Sequence, residues 1–198
     1  MDSVLQELES VMSAHDPYTV THQWRVAQIS SAIAGEMGLK EERTRNLMMA
    51  ARLHDFGKIS LPVDILSKPG KLSGVEMAMI KRHPTRGCDM LKPLSLPTAI
   101  FMTIMQHHER INGSGYPFGL SGENILLEAR IIGVADVVEA ISFQRPYRRS
   151  LGIEMGLKEI SQNRGVLYDP SVVDAFRSLY SKNMFGNFFA VNVSREAA

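Results

Sequence analysis

Three scarcities in the sequence exclude whole classes of protein. The 198 residues contain one cysteine, Cys88, so no internal disulfide can form, and nothing nearby in the sequence would activate this thiol. Lysine plus arginine (22) almost equal aspartate plus glutamate (21), and the formal charge of +1 gives no sign of a nucleic acid polymer or an anionic membrane as the main partner. The longest apolar stretch, residues 125–141, is interrupted by Glu128, Arg130 and Asp136, and the amino terminus lacks the pattern of a secretory signal. We therefore expect a cytoplasmic protein without membrane insertion.

The spacing of the apolar residues indicates an all-α fold. They recur mostly at steps of three and four, and no internal repeat is present. The length suits one domain with its own core. We expect a single-domain helical bundle, which we divide into an N-terminal helix at 1–15, a main domain at 16–180 and a C-terminal tail at 181–198. The apolar residues 184–193 in this tail have no regular period, and they are expected to dock on the domain or to form a subunit contact.

Capping and breaking residues predict where the helices begin and end. Gly57 is expected to stop the third helix just after the pair His54-Asp55, and Pro84 is expected to kink or end the helix before it. His15 matches no pattern and is expected at the surface. The predicted helix starts are Asp16-Pro17, the capping box from Ser73 to Glu76, Pro97, Ser121 or Glu123, and Asp169-Pro170.

Seven histidines and aspartates stand mostly at or near predicted helix ends, beside apolar stripes that should face the core. A lone histidine is more often a surface or hydrogen-bonded residue than a metal ligand, but the ends of packed helices can converge on one pocket. Five imidazoles and two carboxylates exceed the needs of one catalytic zinc, which takes three protein ligands. Two metals about 3.5 to 4 Å apart suit phosphoester hydrolysis, and mixed nitrogen and oxygen ligation suits iron, manganese, zinc or nickel. The seven residues are His22, His54, Asp55, His83, His107, His108 and Asp136.

Four motifs occur in order along the chain and resemble those of a known family. They are HDFGK at 54–58, HP at 83–84, HHERINGSGYP at 107–117 and ARIIGVADVVEAISFQRPYR at 129–148. Together they are similar to the HD-GYP subgroup of the HD superfamily of metal-dependent phosphohydrolases, over roughly residues 16–177. The resemblance implies a helical bundle around a centre of two or three metals. Such a centre hydrolyses cyclic dinucleotides, chiefly cyclic di-GMP, to the linear dinucleotide or to GMP.

The resemblance also implies roles for the residues of the metal site. The seven histidines and aspartates fall on metal-ligand positions, with Asp55 as the bridging carboxylate. Lys58 falls on the active-site lysine, which would hold the scissile phosphate or the attacking water. Some members bind a third metal through a glutamate one turn before the first histidine, where this chain has Tyr18. We therefore expect two divalent ions, iron or manganese first, with zinc and nickel as alternatives.

The substrate contacts that the resemblance implies lie farther along the chain. Arg145 and Arg148 fall on positions that hold the phosphates of the dinucleotide, which guanidinium groups can bind in a bidentate way. Glu139 stands where many members have an aspartate that is proposed to contact substrate. Gly115 and Tyr116 belong to the loop after the paired histidines. This loop is expected to form either a wall of the substrate site or a docking surface for a diguanylate cyclase (GGDEF-type) domain.

These observations leave three functional hypotheses. In the first, a metal-bridging hydroxide attacks a phosphorus of cyclic di-GMP or of mixed cyclic GMP-AMP. In the second, the domain is a catalytically silent dinucleotide sensor or a docking module for a cyclase, although degenerate relatives generally lose metal ligands and this chain keeps all seven. In the third, the substrate is another nucleotide phosphoester. Members of the family usually carry a receiver or sensory domain, so we expect either a fragment of such a protein or a domain that works alone.

Overall fold

Helices dominate the residues that the computed structural model describes, 2–144 and 150–185. Three short 3-10 turns, at Phe56–Ser60, Lys92–Leu94 and Gly122–Asn124, and two isolated β-bridges accompany them. The predicted all-α class is confirmed. Within these residues, no helix combines the length and the apolar character needed to cross a membrane. The helices are α1 (Asp2–His15), α2 (Pro17–Glu36), α3 (Glu41–Leu53), α4 (Val63–Leu66), α5 (Gly74–Ile80), α6 (His83–Leu91), α7 (Thr98–Gln106), α8 (Leu127–Ser142), α9 (Ile153–Gln162) and α10 (Pro170–Ser181).

The second helix forms the centre of the bundle. Val26, Ile29 and Ile33 of α2 are fully buried, and the helix packs against α1, α3, α8 and α10. The three side chains are three and four residues apart, so they form one apolar stripe, and burying each contributes about 1.5–3 kcal/mol to folding. Because α2 also carries His22, the packing of this stripe fixes the place of that ring.

The first helix packs on the same core. Leu5 and Met12 are buried, and the guanidinium of Arg52 in α3 donates to both carboxylate oxygens of Glu9 at 2.7 Å. Asp16 alone separates α1 from α2, and its side chain caps α2 as predicted. The direct junction means that the carboxyl end of α1 lies close to the first turn of α2.

The capping predictions for α5 and α10 are confirmed. The Ser73 N–H donates to the Glu76 carboxylate at 2.7 Å, and the Glu76 N–H donates to the Ser73 hydroxyl at 3.3 Å, which is a complete capping box. Asp169 accepts the N–H of Ser171 at 2.8 Å and so caps α10. These ends could be predicted because each cap involves residues two or three positions apart.

The start of α8 differs from the prediction. This helix begins at Leu127, not at Ser121 or Glu123. The N–H of Leu126 donates to the side-chain oxygen of Gln106, a buried residue at the end of α7, at 2.8 Å. This contact with another helix holds Leu126 outside the helix, after the 3-10 turn at Gly122–Asn124, and α8 forms only beyond it.

Gly57 packs against the start of α6, and Pro84 lies in the first turn of this helix. Helix α3 ends at Leu53, and Gly57 does not stop it as predicted but lies in the following 3-10 turn. A Cβ atom on Gly57 would lie 2.0 Å from the carbonyl oxygen of His83, so only glycine lets this turn pack directly on α6. The helix break predicted at Pro84 is present, and the proline itself stands in the first turn of the new helix.

The last described residues of the chain dock on the domain. Phe185 is buried and stacks on Phe176 of α10, with ring centres 5.2 Å apart. This contact agrees with the docking that was predicted for the apolar tail. The rest of that tail, 186–198, lies outside the described residues.

The single cysteine is a structural residue. Cys88 is buried in α6, and its thiol donates to the carbonyl oxygen of Phe101 at 3.4 Å. Burial raises the pKa of the thiol to about 12. At neutral pH the group is therefore protonated, which agrees with the prediction that it is not a nucleophile.

Candidate metal centre

Five segments of the bundle converge on one mostly buried cluster of ligand groups. All seven residues predicted as metal ligands meet there, in two groups, and the ligand atoms within each group lie within 4.8 Å of one another. The Asp55 group consists of Asp55, His83, His107 and His108, and the His22 group consists of His22, His54 and Asp136. Helices α2 and α8 carry His22 and Asp136, and the other five residues follow the last turns of α3, α5 and α7.

Backbone carbonyl groups fix the orientation of three imidazoles. In each case Nδ1 bonds to the carbonyl oxygen three residues earlier, in the last turn of a helix where that oxygen lacks an intrahelical partner. A carbonyl oxygen only accepts, so Nδ1 carries the proton and Nε2 has a free lone pair. The bonded pairs are His54 with Ala51, His83 with Ile80, and His107 with Ile104, at 2.7, 2.8 and 2.6 Å.

Glu139 orients the ring of His22 through a hydrogen bond to Nδ1. The Nδ1 of His22 donates to one carboxylate oxygen of Glu139 at 2.5 Å, and the other oxygen lies 3.4 Å from the guanidinium of Arg25. The Glu139 side chain is fully buried with both oxygens engaged. The contact of Glu139 with substrate stays a prediction, and it would require the carboxylate to leave one of these two partners. The group orients a candidate ligand, a role that carboxylates often have behind metal-binding histidines.

We expect Glu139→Gln to weaken metal binding without unfolding the domain. Glutamine has the same shape and can still accept the proton of His22, but it lacks the negative charge that raises the basicity of the ring. Loss of such a partner typically lowers metal affinity 10- to 100-fold, and we expect about 10-fold here, measured by competition with a chelator. Glu42→Gln, at an exposed position of α3, is the control. Equal affinities for the two variants would argue against this role of Glu139.

The carboxylate of Asp55 lies between the two groups. One oxygen, Oδ1, is 3.2 Å from Nε2 of His83, and the other, Oδ2, is 3.6 Å from Nε2 of His22 and 3.5 Å from Nε2 of His54. Each oxygen thus faces a different set of imidazole nitrogens. This is the arrangement that a carboxylate bridging two cations requires.

Several polar atoms at the centre of the cluster fit a bound cation. Nε2 of His54 and Oδ1 of Asp55 are buried, and neither has a hydrogen-bond partner among the described residues. Nε2 of His83 and Nε2 of His107 are 3.3 Å apart, although both rings carry their proton on Nδ1. Two facing lone pairs and two unsatisfied buried atoms are costly in a protein interior, and a cation among them would relieve both. The residues therefore fit a metal centre.

The pKa shifts at the cluster also suit metal binding. Burial lowers the pKa of His83 to about 4, so its imidazole is neutral at pH 7. For His22, burial acts in the same direction, but the carboxylate of Glu139 and its neighbours outweigh it and raise the pKa to about 9. Burial alone would raise the pKa of Asp55, yet the adjacent Lys58 and the imidazoles hold it well below the usual range. The cluster thus places an anionic carboxylate beside the neutral imidazole of His83, whereas His22 must release a proton when a metal binds.

A cavity of about 220 Å³ opens beside the cluster, with Lys58 and His22 in its wall. The ammonium of Lys58 donates to Oδ2 of Asp55 at 2.5 Å, so it lies between the cavity and the candidate ligands. His15 lines the same cavity. It is half-buried, and its Nε2 is enclosed without a hydrogen-bond partner among the described residues, so the predicted surface position is wrong.

The loop after the paired histidines folds back onto the segment that carries them. The ring of Tyr116 stacks on His108 with ring centres 4.7 Å apart, and the Tyr116 N–H donates to the carbonyl oxygen of His108 at 3.3 Å. Gly115 lies so close to this segment that a Cβ atom would be 2.4 Å from Cα of Glu109. The loop therefore supports the position of a candidate ligand, in addition to whatever contact it makes with substrate or partner.

Glu109 anchors this loop, although the sequence analysis did not single it out as a functional residue. Its buried carboxylate accepts the N–H groups of Phe118 at 2.7 Å and Leu120 at 3.0 Å. The available signal was its place, directly after two histidines and before a glycine-rich stretch whose backbone N–H groups need acceptors. Glu109 thus joins the far side of the loop to the ligand-bearing segment.

The position that would hold a third metal is aromatic in this chain. The ring of Tyr18 lies almost parallel to that of His22, with centres 6.3 Å apart. A neutral phenol is a weak substitute for the carboxylate that a third metal would need. Two ions therefore remain the prediction.

Arg145 and Arg148, the predicted phosphate-binding residues, lie outside the described residues. The chain enters their segment from the end of α8, where Phe143 is buried under the guanidinium of Arg25 at 4.0 Å. It leaves the segment at Ser150, whose hydroxyl donates to a carbonyl oxygen in the last turn of α8 at 2.5 Å. Phe143 and Ser150, which are described, both lie near the helix that carries the candidate ligand Asp136.

Comparisons with known proteins agree with this geometry. A family model described as HD domain matches residues 6–172. The chain is 41% identical over 173 residues to the cyclic di-GMP phosphodiesterase response regulator RpfG of Xanthomonas campestris, covering 86% of this chain and 46% of that protein. It is 38% identical over 151 residues to the 3′3′-cGAMP-specific phosphodiesterase 1 of Vibrio cholerae, covering 76% of this chain and 35% of that protein.

A solved structure shows the same fold. The HD domain of the L. monocytogenes phosphodiesterase PgpH superposes with a TM-score of 0.68 at 18% identity, covering 91% of this chain and 98% of that one. The chain spans about half the length of the curated relatives it matches. The family match covers most of the sequence, and the motifs HDFGK and HHERINGSGYP contribute four of the seven clustered ligands, His54, Asp55, His107 and His108. The first motif also contains Lys58, which contacts Asp55. The chain therefore belongs to the HD domain family, and within it to the HD-GYP subgroup.

Proposed function

We propose that this domain is a metal-dependent phosphodiesterase that hydrolyses cyclic di-GMP, or mixed cyclic GMP-AMP, to the linear dinucleotide or to GMP. The observation that carries the proposal is the complete set of seven ligand groups, divided into two parts with the Asp55 carboxylate between them. The names of the relatives support the substrate class, since they include enzymes for cyclic di-GMP and for 3′3′-cGAMP.

We assign two divalent ions to the site, iron or manganese first, with zinc or nickel as alternatives. Five imidazoles and two carboxylates form a mixed nitrogen and oxygen set, which suits these metals better than magnesium. When bound, the ions supply Lewis acidity and lower the pKa of a bound water. His22, His54 and Asp136 would hold one ion, His83, His107 and His108 the other, and Asp55 would contact both.

We assign Lys58 as the catalytic side chain that would contact the scissile phosphate. One proton of its ammonium is donated to Asp55, and the group also faces the cavity, so its remaining donors can reach a phosphate oxygen there. Fixed donors in a site of low dielectric stabilise the charge that develops on the phosphate in the transition state. We assign further phosphate contacts to Arg145 and Arg148 from the motif that they share with the HD-GYP subgroup.

Turnover by metal-loaded protein tests this function. The protein is purified without oxygen, loaded with manganese or iron, and incubated separately with cyclic di-GMP and mixed cyclic GMP-AMP, and the products are separated by chromatography. We expect linear dinucleotide or GMP from at least one substrate, loss of turnover after dialysis against EDTA, and recovery when manganese is returned. Fully loaded protein that left both substrates intact would exclude the proposed activity.

The loop from Gly115 to Phe118 remains our candidate for contact with a diguanylate cyclase domain or a regulatory domain. Its inner side packs on the ligand-bearing segment, whereas Pro117 and Phe118 are exposed, with 53% of Phe118 accessible. A partner that bound this outer side would press on a loop that supports His108. We expect Phe118→Ser to weaken such a complex while leaving metal content unchanged.

A further inference from the structure

The hydrogen bonds of α7 do not continue beyond the paired histidines that follow it. In a continuing α-helix the N–H of Ile111 would donate to the carbonyl oxygen of His107, four residues earlier. It donates instead to the carbonyl oxygen of Leu167, in the connection between α9 and α10, at 3.2 Å. The carbonyl oxygen of His107 is therefore left for another donor.

The side chain of Arg110 is that donor. Its Nη1 donates to the carbonyl oxygen of Glu109 at 2.9 Å and to that of His107 at 3.4 Å. Carbonyl groups at the carboxyl end of a helix lack intrahelical donors and carry partial negative charge, so a nearby cation stabilises this end. Arg110 forms no ion pair within the part of the chain that the structure describes, and these two carbonyl groups are its hydrogen-bond acceptors there.

Two neighbours restrict where the guanidinium of Arg110 can lie. Its central carbon is 5.5 Å from the ring centre of Tyr168, which is within the range of a cation–π contact. Tyr168 is itself buried, and its hydroxyl donates to Glu159 at 3.2 Å. Helix α8 also passes close by, since a Cβ atom on Gly133 would lie 3.3 Å from Nη1 of Arg110 and 3.2 Å from the carbonyl oxygen of His107. These contacts favour one fixed position of the guanidinium.

The bend after α7 matters because two adjacent histidines must face the same ligand group. Successive residues of a straight α-helix point about 100° apart, so two adjacent rings would diverge. Here the ring centres of His107 and His108 are 4.0 Å apart, and both rings offer ligand atoms to the Asp55 group. A change in the backbone between His107 and Glu109 would therefore turn at least one ring away from that group.

We propose that Arg110 is a positioning residue that holds His107 and His108 in the bent backbone in which both rings face the Asp55 group. It acts through the carbonyl groups of His107 and Glu109 and not as a ligand, because a guanidinium stays protonated. The proposal rests on the proposed function in that it concerns the same metal centre, but metal binding tests it without turnover.

A manganese titration that separates the two ligand groups tests the proposal. Metal is removed from the domain with EDTA and returned as manganese in a calorimeter, and His83→Ala and His22→Ala identify the binding steps of the Asp55 group and the His22 group. We expect Arg110→Gln to weaken the Asp55-group step at least about tenfold, as is typical for residues that orient ligands, and to change the other step by less than about twofold. Arg110→Lys keeps a cation with N–H donors and is expected to recover part of the loss.

Two control variants separate this effect from loss of charge elsewhere and from general instability. Arg45→Gln removes a guanidinium of α3 whose ion pair with Glu41 is exposed. Ile160→Val removes a methyl group from a fully buried residue of α9 and is expected to lower the unfolding temperature. Both controls are expected to bind manganese as wild type does. Weakening of the Asp55-group step in Ile160→Val as large as that in Arg110→Gln would overturn the proposal, because instability alone would then explain the effect.

Three further results would also overturn it. They are unchanged manganese binding in Arg110→Gln, equal weakening of both steps, and an Arg110→Lys variant that binds no better than Arg110→Gln. Unchanged binding together with a raised KM for cyclic di-GMP would make Arg110 a substrate contact and would leave the proposed function intact. Conversely, selective weakening in Arg110→Gln, with a wild type that turns over no cyclic dinucleotide, would keep the positioning role and exclude the proposed activity.

Discussion

Asp55→Asn is expected to reduce the turnover of a cyclic dinucleotide by about 1,000-fold, which corresponds to ~4 kcal/mol of transition-state stabilisation. The carboxylate faces His83 with one oxygen and both His22 and His54 with the other, so an amide would offer a neutral oxygen to one group and an NH₂ to the other. The amide would also remove the charge that Lys58 contacts. Metal content, measured by elemental analysis, is expected to fall from two ions to one or none per chain.

Asp89→Asn is the matched control for this substitution. Asp89 is an exposed carboxylate in α6, and its ion pair with Lys92 is also exposed. Exposed pairs contribute about 0–1 kcal/mol, so this variant is expected to keep full turnover and both ions. Two ions and normal turnover in Asp55→Asn would show that the carboxylate does not join the two groups.

Gly115→Ala is expected to reduce turnover about 100-fold. It is also expected to lower the amount of metal that the Asp55 group binds. The added Cβ would lie 2.4–2.5 Å from Cα of Glu109, the nitrogen of Arg110 and the carbonyl oxygen of His108, all of them backbone atoms. The loop or the segment must move, and Tyr116 and the ring of His108 would move with it. Overpacking of this kind typically costs 1–3 kcal/mol, so we also expect a lower unfolding temperature.

Gly35→Ala separates this effect from the general effect of adding a methyl group. A Cβ on Gly35, in the last turn of α2, would meet nothing within 4 Å, and alanine favours a helix by up to about 1 kcal/mol over glycine. This variant is expected to keep its metal and to be at least as stable as wild type. Normal metal content in Gly115→Ala would show that the loop does not support His108.

Most of the candidate ligands could be predicted from the sequence because they stand in short motifs at predictable helix ends. The pairs His54-Asp55 and His107-His108 directly follow the last residues of α3 and α7. The orientation of the rings is local as well, since His54 and His107 bond to carbonyl groups three residues earlier. Local sequence thus determined both the place and the direction of the nitrogen atoms.

The supporting contacts could not be predicted because they join distant parts of the chain. Glu139 lies 117 positions from His22, and helical periodicity alone made it as suitable for a substrate contact as for a buried partner. Gly115 looked like a turn residue, whereas its lack of a side chain is needed for close packing on the segment before it. His15 looked like a surface residue, because the cavity that encloses it also needs residues of α4.

The helix boundaries were likewise predictable only where they depend on residues close in sequence. Caps such as Asp16 and the Ser73 to Glu76 box depend on near neighbours and were predicted correctly. The start of α8 depends on the amide of Gln106, twenty positions before Leu126, and was predicted wrongly.

Anomalous diffraction at the manganese absorption edge, from crystals of manganese-loaded protein, is the most direct test of a centre divided about Asp55. We predict two peaks in each chain, one within the Asp55 group and one within the His22 group, with the Asp55 carboxylate between them. A single peak, or peaks away from these seven side chains, would contradict the account.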